Sequence, residues 1–177
     1  MVDGVGSDDE GPDGVYAIYM LRTMQQHHVQ LSSQADQKAS MLIGATAVIM
    51  TLIFRDASTQ AVGLPLLCIA GASFLAAVLA IAAVVPLTKG RPGNTPNMMF
   101  FGSFVGLDEA TYQARMADVM TSNATVRRAM VRDVYQLGQV LGRRKYKLIG
   151  HAYRVFLLGL VGGFVLFVAG SAGLLPH

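Results

Sequence analysis

Charge is what this chain does without over long distances. Residues 39–54, 57–88 and 155–177 contain no Asp, Glu, Lys or Arg. A charge at the centre of a bilayer costs about 2.5–3.5 kcal/mol on insertion scales, whereas a soluble protein has no reason to keep three such runs clear. Cysteine is nearly absent as well. Cys68 stands alone inside an apolar run, which excludes a disulfide framework and a thiolate metal site. Only 14% of the residues are charged and 53% are hydrophobic, against about 25% charged in an ordinary soluble domain. What remains outside the apolar runs is too short for a large independent catalytic domain. The N-terminus is acidic and has no early apolar core, so no signal peptide is expected.

The charge that is present is unevenly spread. Residues 1–14 hold Asp3, Asp8, Asp9, Glu10 and Asp13 among glycines and read as a disordered acidic tail. Residues 88–154 hold eleven of the fourteen Lys and Arg against four acids, Asp108, Glu109, Asp118 and Asp133, a balance of 11 − 4 = +7. A basic segment flanked by apolar runs is explained by topology and anionic lipid, not by nucleic acid.

The expected fold is an all-α membrane protein, with three transmembrane helices and long helices extending into the cytoplasm. The first span, 39–54, has sixteen residues and is short for a hydrocarbon core of about 30 Å. Lys38 and Arg55 extend it by snorkelling. Pro65 suits the first turn of the second span and Pro86 its exit. The third span occupies 155–177 and ends near Pro176. The expected divisions are thus a tail at 1–14, a cytoplasmic helix at 15–38, a two-span hairpin at 39–87, a basic helical segment at 88–154 and the last span. Lys89 and Arg91 follow the second span, while Arg143, Arg144, Lys145, Lys147 and Arg154 precede the third. The positive-inside rule then places the N-terminus and 88–154 in the cytoplasm and the C-terminus outside the cell membrane.

Leu21, Met24, His28, Leu31, Ala35 and Leu42 recur every three or four residues, which predicts a helix running from the cytoplasm into the first span. Turn formers make 91–104 a loop. Asp108 is a suitable N-cap for a helix reaching about Met120, and Ser122 or Asn123 for the next. Val126, Met130, Val134, Leu137, Leu141 and Leu148 line one face of that helix, and nothing stops it before the third span.

No nucleophile elbow, P-loop, zinc-ligand spacing or paired catalytic carboxylates are present, so no enzyme, catalytic residue, metal or cofactor is expected. His27 and His28 are adjacent, point about 100° apart on a helix, and read as surface histidines. His151 is expected to pack among aromatic and basic neighbours. Arg128, Arg132, Tyr135, Gln139 and Arg143 fall within about 80° of one another at 100° per residue. Guanidinium groups around a ring and an amide suit a phosphate and a stacked base. A solvated or headgroup-facing basic surface has the same pattern. Lys38 reads as an interface anchor. Asp36 is expected to pair with one of the basic residues 143–147, Lys145 among them, at the same depth. Ala72, Ala76 and Ala80 share a face of the second span, and Gly159 and Gly163 one of the third. This spacing permits close helix approach, either between copies or within one chain.

Asp36-Gln37-Lys38-Ala39 before the first span, then Asn97 with Phe100-Phe101, Tyr112, Asp133-Val134-Tyr135 and Lys145-Tyr146 resemble the transmembrane effector family of Pycsar, a bacterial anti-phage system. The resemblance runs from about Ser33 to about Leu160. It implies a membrane effector of abortive infection, activated by cyclic UMP or cyclic CMP from a genomically linked nucleotide cyclase, that impairs membrane integrity. The implied partners are the lipid bilayer, a cyclic mononucleotide and further copies of the chain in a homo-oligomer. Two other readings fit the residues: a constitutive membrane-anchored adaptor docking a soluble partner, and a holin-like pore gated by another signal.

Overall fold

A computed structural model describes residues 12–58, 62–85 and 97–172. These residues form six α-helices and no strand: α1 Pro12–Ala57, α2 Leu64–Val84, α3 Phe101–Phe104, α4 Glu109–Val119, α5 Asn123–Val140 and α6 Tyr146–Ser171. A π-helical turn, Leu141–Lys145, joins α5 to α6 without a break. Most of the acidic tail, the Lys89 and Arg91 flank, Pro86 and the C-terminal Pro176 lie outside the described residues.

Helix α1 is long because no Pro or Gly falls between Gly14 and Gly44. Pro12, in its first turn, loses no hydrogen bond there. Gly63 caps α2, whose second residue is Pro65. Asp108 caps α4: its Oδ1 accepts from the Thr111 N–H at 2.9 Å and its Oδ2 from the Thr111 hydroxyl at 2.7 Å. These bonds, the hydroxyl first, hold the Asp108 carboxyl below its ordinary pKa. Ser122 caps α5 reciprocally, its hydroxyl accepting from the Thr125 N–H while the Thr125 hydroxyl accepts from the Ser122 N–H. Thr125 takes the place usually held by Glu or Gln. The expected loop at 91–104 is partly helical, because Phe101–Phe104 winds one turn after Asn97.

Among the described residues three helices are long and apolar enough to cross a membrane: Gly14–Ala57, Leu64–Val84 and the continuous Asn123–Ser171. The chain divides into two compact units. One comprises the described residues of Met1–Leu31 and Pro86–Leu141, the other those of Ser32–Val85 and Gly142–His177. The second unit therefore keeps two turns of α1 before the first uncharged run and three turns before the third. Ala35, Ala39 and Leu42 of α1 share a core with Ala80 and Ala83 of α2 and with Ile149 and Ala152 of α6. Burial of those flanking turns draws them into the unit that contains the spans.

Within this unit α2 and α6 touch through small residues. A Cβ at Gly159 would overlap Ala72, and one at Gly163 would overlap Ile69. Ala76 and Ala80 are fully buried. Of the two uses open to these small-residue faces, packing inside one chain is the one the structure displays.

Candidate functional site

The first unit has a polar centre inside an apolar shell. Leu21 of α1 packs with Met130 and Val134 of α5, and Val126 closes their edge. Beside them Asp133 is buried, only 5% exposed. Its Oδ2 accepts from Gln25 Nε2 at 2.8 Å and its Oδ1 from Asn97 Nδ2 at 2.9 Å. The Asn97 amide also donates to Gln136 Oε1 at 3.0 Å, and its Oδ1 accepts from the Met99 N–H at 3.0 Å. A buried carboxylate is tolerated only with such donors in place. The cluster joins α1, the segment before α3, and α5, so it sets which way α5 faces.

The inward setting of Asp133 fixes the position of the basic stripe. At 100° per residue, Arg128, Tyr135 and Gln139 lie about 120–160° from Asp133 around α5. Arg128 and Tyr135 are exposed, while Arg132 and Gln139 are half-buried. Arg132 is already engaged within the protein. Arg143 is the one member that lies outside α5. It lies in the π turn and in the second unit, where the hydrogen bonds run i to i+5 and each residue advances by less than in an α-helix. Four of the five residues therefore share α5, and the fifth lies in the π turn.

His28 is also placed differently from the surface expectation. It is half-buried, its ring lies against Gly138, and its Nδ1 is shielded from solvent without a hydrogen-bond partner. It occupies the same inward face of α1 as Leu21 and Gln25. His27, by contrast, is exposed, as a surface histidine should be. His151 does not pack among neighbours. It is exposed, with Nδ1 at 2.6 Å from the Lys147 carbonyl one turn back.

In the second unit, Lys145 reaches Asp36 at 2.6 Å and donates to the Ser32 hydroxyl at 2.8 Å. The expected pairing of Asp36 with the basic run is thus present, and Lys145 is its partner. The Lys145 side chain is 16% exposed and that of Asp36 42%, so solvent screens the pair in part. Two residues along, Lys38 points outward while its carbonyl accepts from the Tyr153 hydroxyl at 3.0 Å. Reversing either charge, by Asp36→Lys or Lys145→Asp, should lower the melting midpoint, and the double reversal should recover most of the loss. A double variant no more stable than the singles would mean the pair contributes nothing.

Sequence reasoning missed Gln25 and Gln136 and assigned no contact to Asp133 or Asn97. The signal for Asp133 was available. It falls beside the stripe Val126, Met130, Val134, Leu137 and Leu141, about 20° from Val126 at 100° per residue, where a charge turned towards the core must have a buried partner. Nothing local pointed to Gln25, which is 108 residues away from Asp133.

Among the described residues no group of three or more His, Cys, Asp or Glu side chains is placed to hold a metal ion. Fold and site together define a helical membrane protein that carries a compact, polar-centred helical unit in addition to its spans. Residues 19–172 match the Pycsar effector protein domain, and the chain belongs to that family. It is a membrane effector of anti-phage signalling. No curated protein and no solved structure matches the chain.

Proposed function

We propose that this effector is activated by a cyclic mononucleotide, cyclic UMP or cyclic CMP, and that the activated protein impairs the integrity of the cell membrane. The observation that carries this reading is one unbroken helical run, Asn123–Ser171, which bears the basic stripe at one end and a span at the other. In this reading Arg128, Arg132, Tyr135 and Gln139 receive the nucleotide, guanidinium groups taking the phosphate and the Tyr135 ring stacking on the base. Arg143, in the π turn, contributes charge from the adjoining segment.

The N-terminus and 88–154 face the cytoplasm, where the linked cyclase makes its product, and the C-terminus faces outward. Basic residues on both flanks of 88–154 support that orientation. Ligand binding between neighbouring copies of a homo-oligomer relieves repulsion among the arginines. It shifts the population towards a leaky assembly in proportion to its preference for that state. Lys38 and the Asp36–Lys145 pair hold the spans at the inner interface.

Dye release from liposomes carrying the full chain tests this reading, with cyclic UMP, cyclic CMP and cyclic AMP titrated in turn. Release with one pyrimidine nucleotide, abolished by Arg128→Ala with Tyr135→Ala, is the expected result. Release that is equal with and without nucleotide would point to a constitutive or differently gated protein.

A further inference from the structure

Lys145 is drawn inward by Asp36 and Ser32, but its basic neighbours are not. Lys147, His151 and Arg154 are all exposed on α6. At 100° per residue they fall within about 60° of one another. The same face continues along the helix as Leu158, Val161 and Val165, exposed by 70%, 52% and 58%. All six lie within about 80°, so one stripe of α6 is cationic at its first turns and bare hydrocarbon beyond.

His151 is held in a defined way. Its Nδ1 lies 2.6 Å from the Lys147 carbonyl, an acceptor that requires the proton on that nitrogen. On the adjoining helix, Lys38 is exposed where its carbonyl receives the Tyr153 hydroxyl, which adds a fourth polar group at the same level. No acidic residue occurs in α6, so nothing on the helix itself neutralises the cluster.

We infer that this stripe is a binding site for one anionic phospholipid. Lys147, His151 and Arg154 take the phosphodiester, and Leu158, Val161 and Val165 take an acyl chain. The continuity of the two parts selects this occupant. A soluble phosphate would meet the cations alone, whereas the apolar half of the stripe belongs to the third span and faces acyl chains, and a zwitterionic lipid would gain little from the cations. The site is separate from the stripe on α5 and from the nucleotide reading built on it.

Native mass spectrometry of the full chain in detergent tests the site, with phosphatidylglycerol and phosphatidylcholine of identical acyl chains titrated separately. The wild type should take up the first phosphatidylglycerol at a lipid concentration at least about tenfold below that needed for phosphatidylcholine. Each cation contributes about fivefold to attraction towards anionic lipid, so Lys147→Gln with Arg154→Gln should erase the difference. Arg115→Gln, which removes an exposed cation from α4, should leave it intact. Each single variant should lose part of the preference, which covers the case in which the double variant folds poorly. Equal uptake of both lipids by the wild type would overturn the assignment. So would a preference that survives in the double variant, or displacement of phosphatidylglycerol by soluble glycerol phosphate.

Discussion

Gly159→Ala should destabilise the packing of α2 on α6 by about 1–3 kcal/mol, the usual cost of forcing extra volume into a filled interface. The reason lies in what the new methyl meets. It overlaps the Cβ of Ala72, an atom with no rotamer to change, so only the helices themselves can give way. Gly163→Ala is the informative comparison. Its methyl overlaps Cγ1 and Cδ1 of Ile69, with the Pro65 carbonyl at 3.1 Å, and a side chain can change rotamer at a smaller cost than a helix can shift. Gly159→Ala should therefore unfold at clearly lower denaturant than Gly163→Ala in a reversible detergent titration. Ala72→Gly removes the obstructing Cβ and leaves the Ala72 Cα at 3.5 Å and the Cys68 carbonyl at 3.8 Å, both ordinary contacts. Combining it with Gly159→Ala should restore most of the loss. Two equally harmless glycine variants would mean that the helices are not held at this separation.

Asp133→Ala should cost about 3 kcal/mol, because it strands the amide donors of Gln25 and Asn97 in a buried site. Asp133→Asn should cost less than about 1 kcal/mol, near the net value of one ordinary hydrogen bond. Gln25 can rotate its amide to present Oε1 to the new NH2 group. Asn97 cannot, since its Oδ1 is committed to the Met99 N–H and its Nδ2 to Gln136. The new side-chain oxygen therefore faces Asn97 and the new NH2 faces Gln25, and every group keeps a partner. Thermal unfolding followed by circular dichroism separates the two variants. If Asp133→Asn falls as far as Asp133→Ala, the negative charge itself is what the unit requires, and amide satisfaction is not the explanation. Loss of this anchor would also release the rotational setting of α5. Asp133→Ala should then blunt any nucleotide response of the α5 stripe, although no stripe residue has changed.

The three spans were legible in the sequence because the bilayer imposes a one-dimensional rule. A crossing helix must satisfy its own backbone and exclude charge for about 20 residues; 57–88 and 155–177 satisfy that rule outright, and the sixteen residues 39–54 approach it with Lys38 and Arg55 snorkelling. The caps of α4 and α5 were legible for a similar reason, since Asp108 and Ser122 bond to backbone only three residues ahead. The length of α1 follows from the absence of breakers between Gly14 and Gly44. Helical periodicity likewise separated an apolar from a basic side of α5, and the depth of Asp36 beside the 143–147 run was enough to expect their pairing.

What the tertiary structure decided were matters of partner and register. Ala72 and Gly159 could have served contact between copies or within one chain, and spacing alone is indifferent to the choice. The π turn at Leu141–Lys145 lowers the rotation per residue, so the position of Arg143 could not be extrapolated from α5. Periodicity set His28 and not His27 on the stripe of Leu21, but only the arrival of α5 places the His28 ring against Gly138. The Asp133 cluster needs Gln25, Asn97 and Gln136 to arrive from three separated segments. Contacts over 108 and 36 residues leave no local trace. The linear pattern therefore determined that this chain enters a membrane, and the folded chain determined which of its polar groups are held inside and which are left exposed.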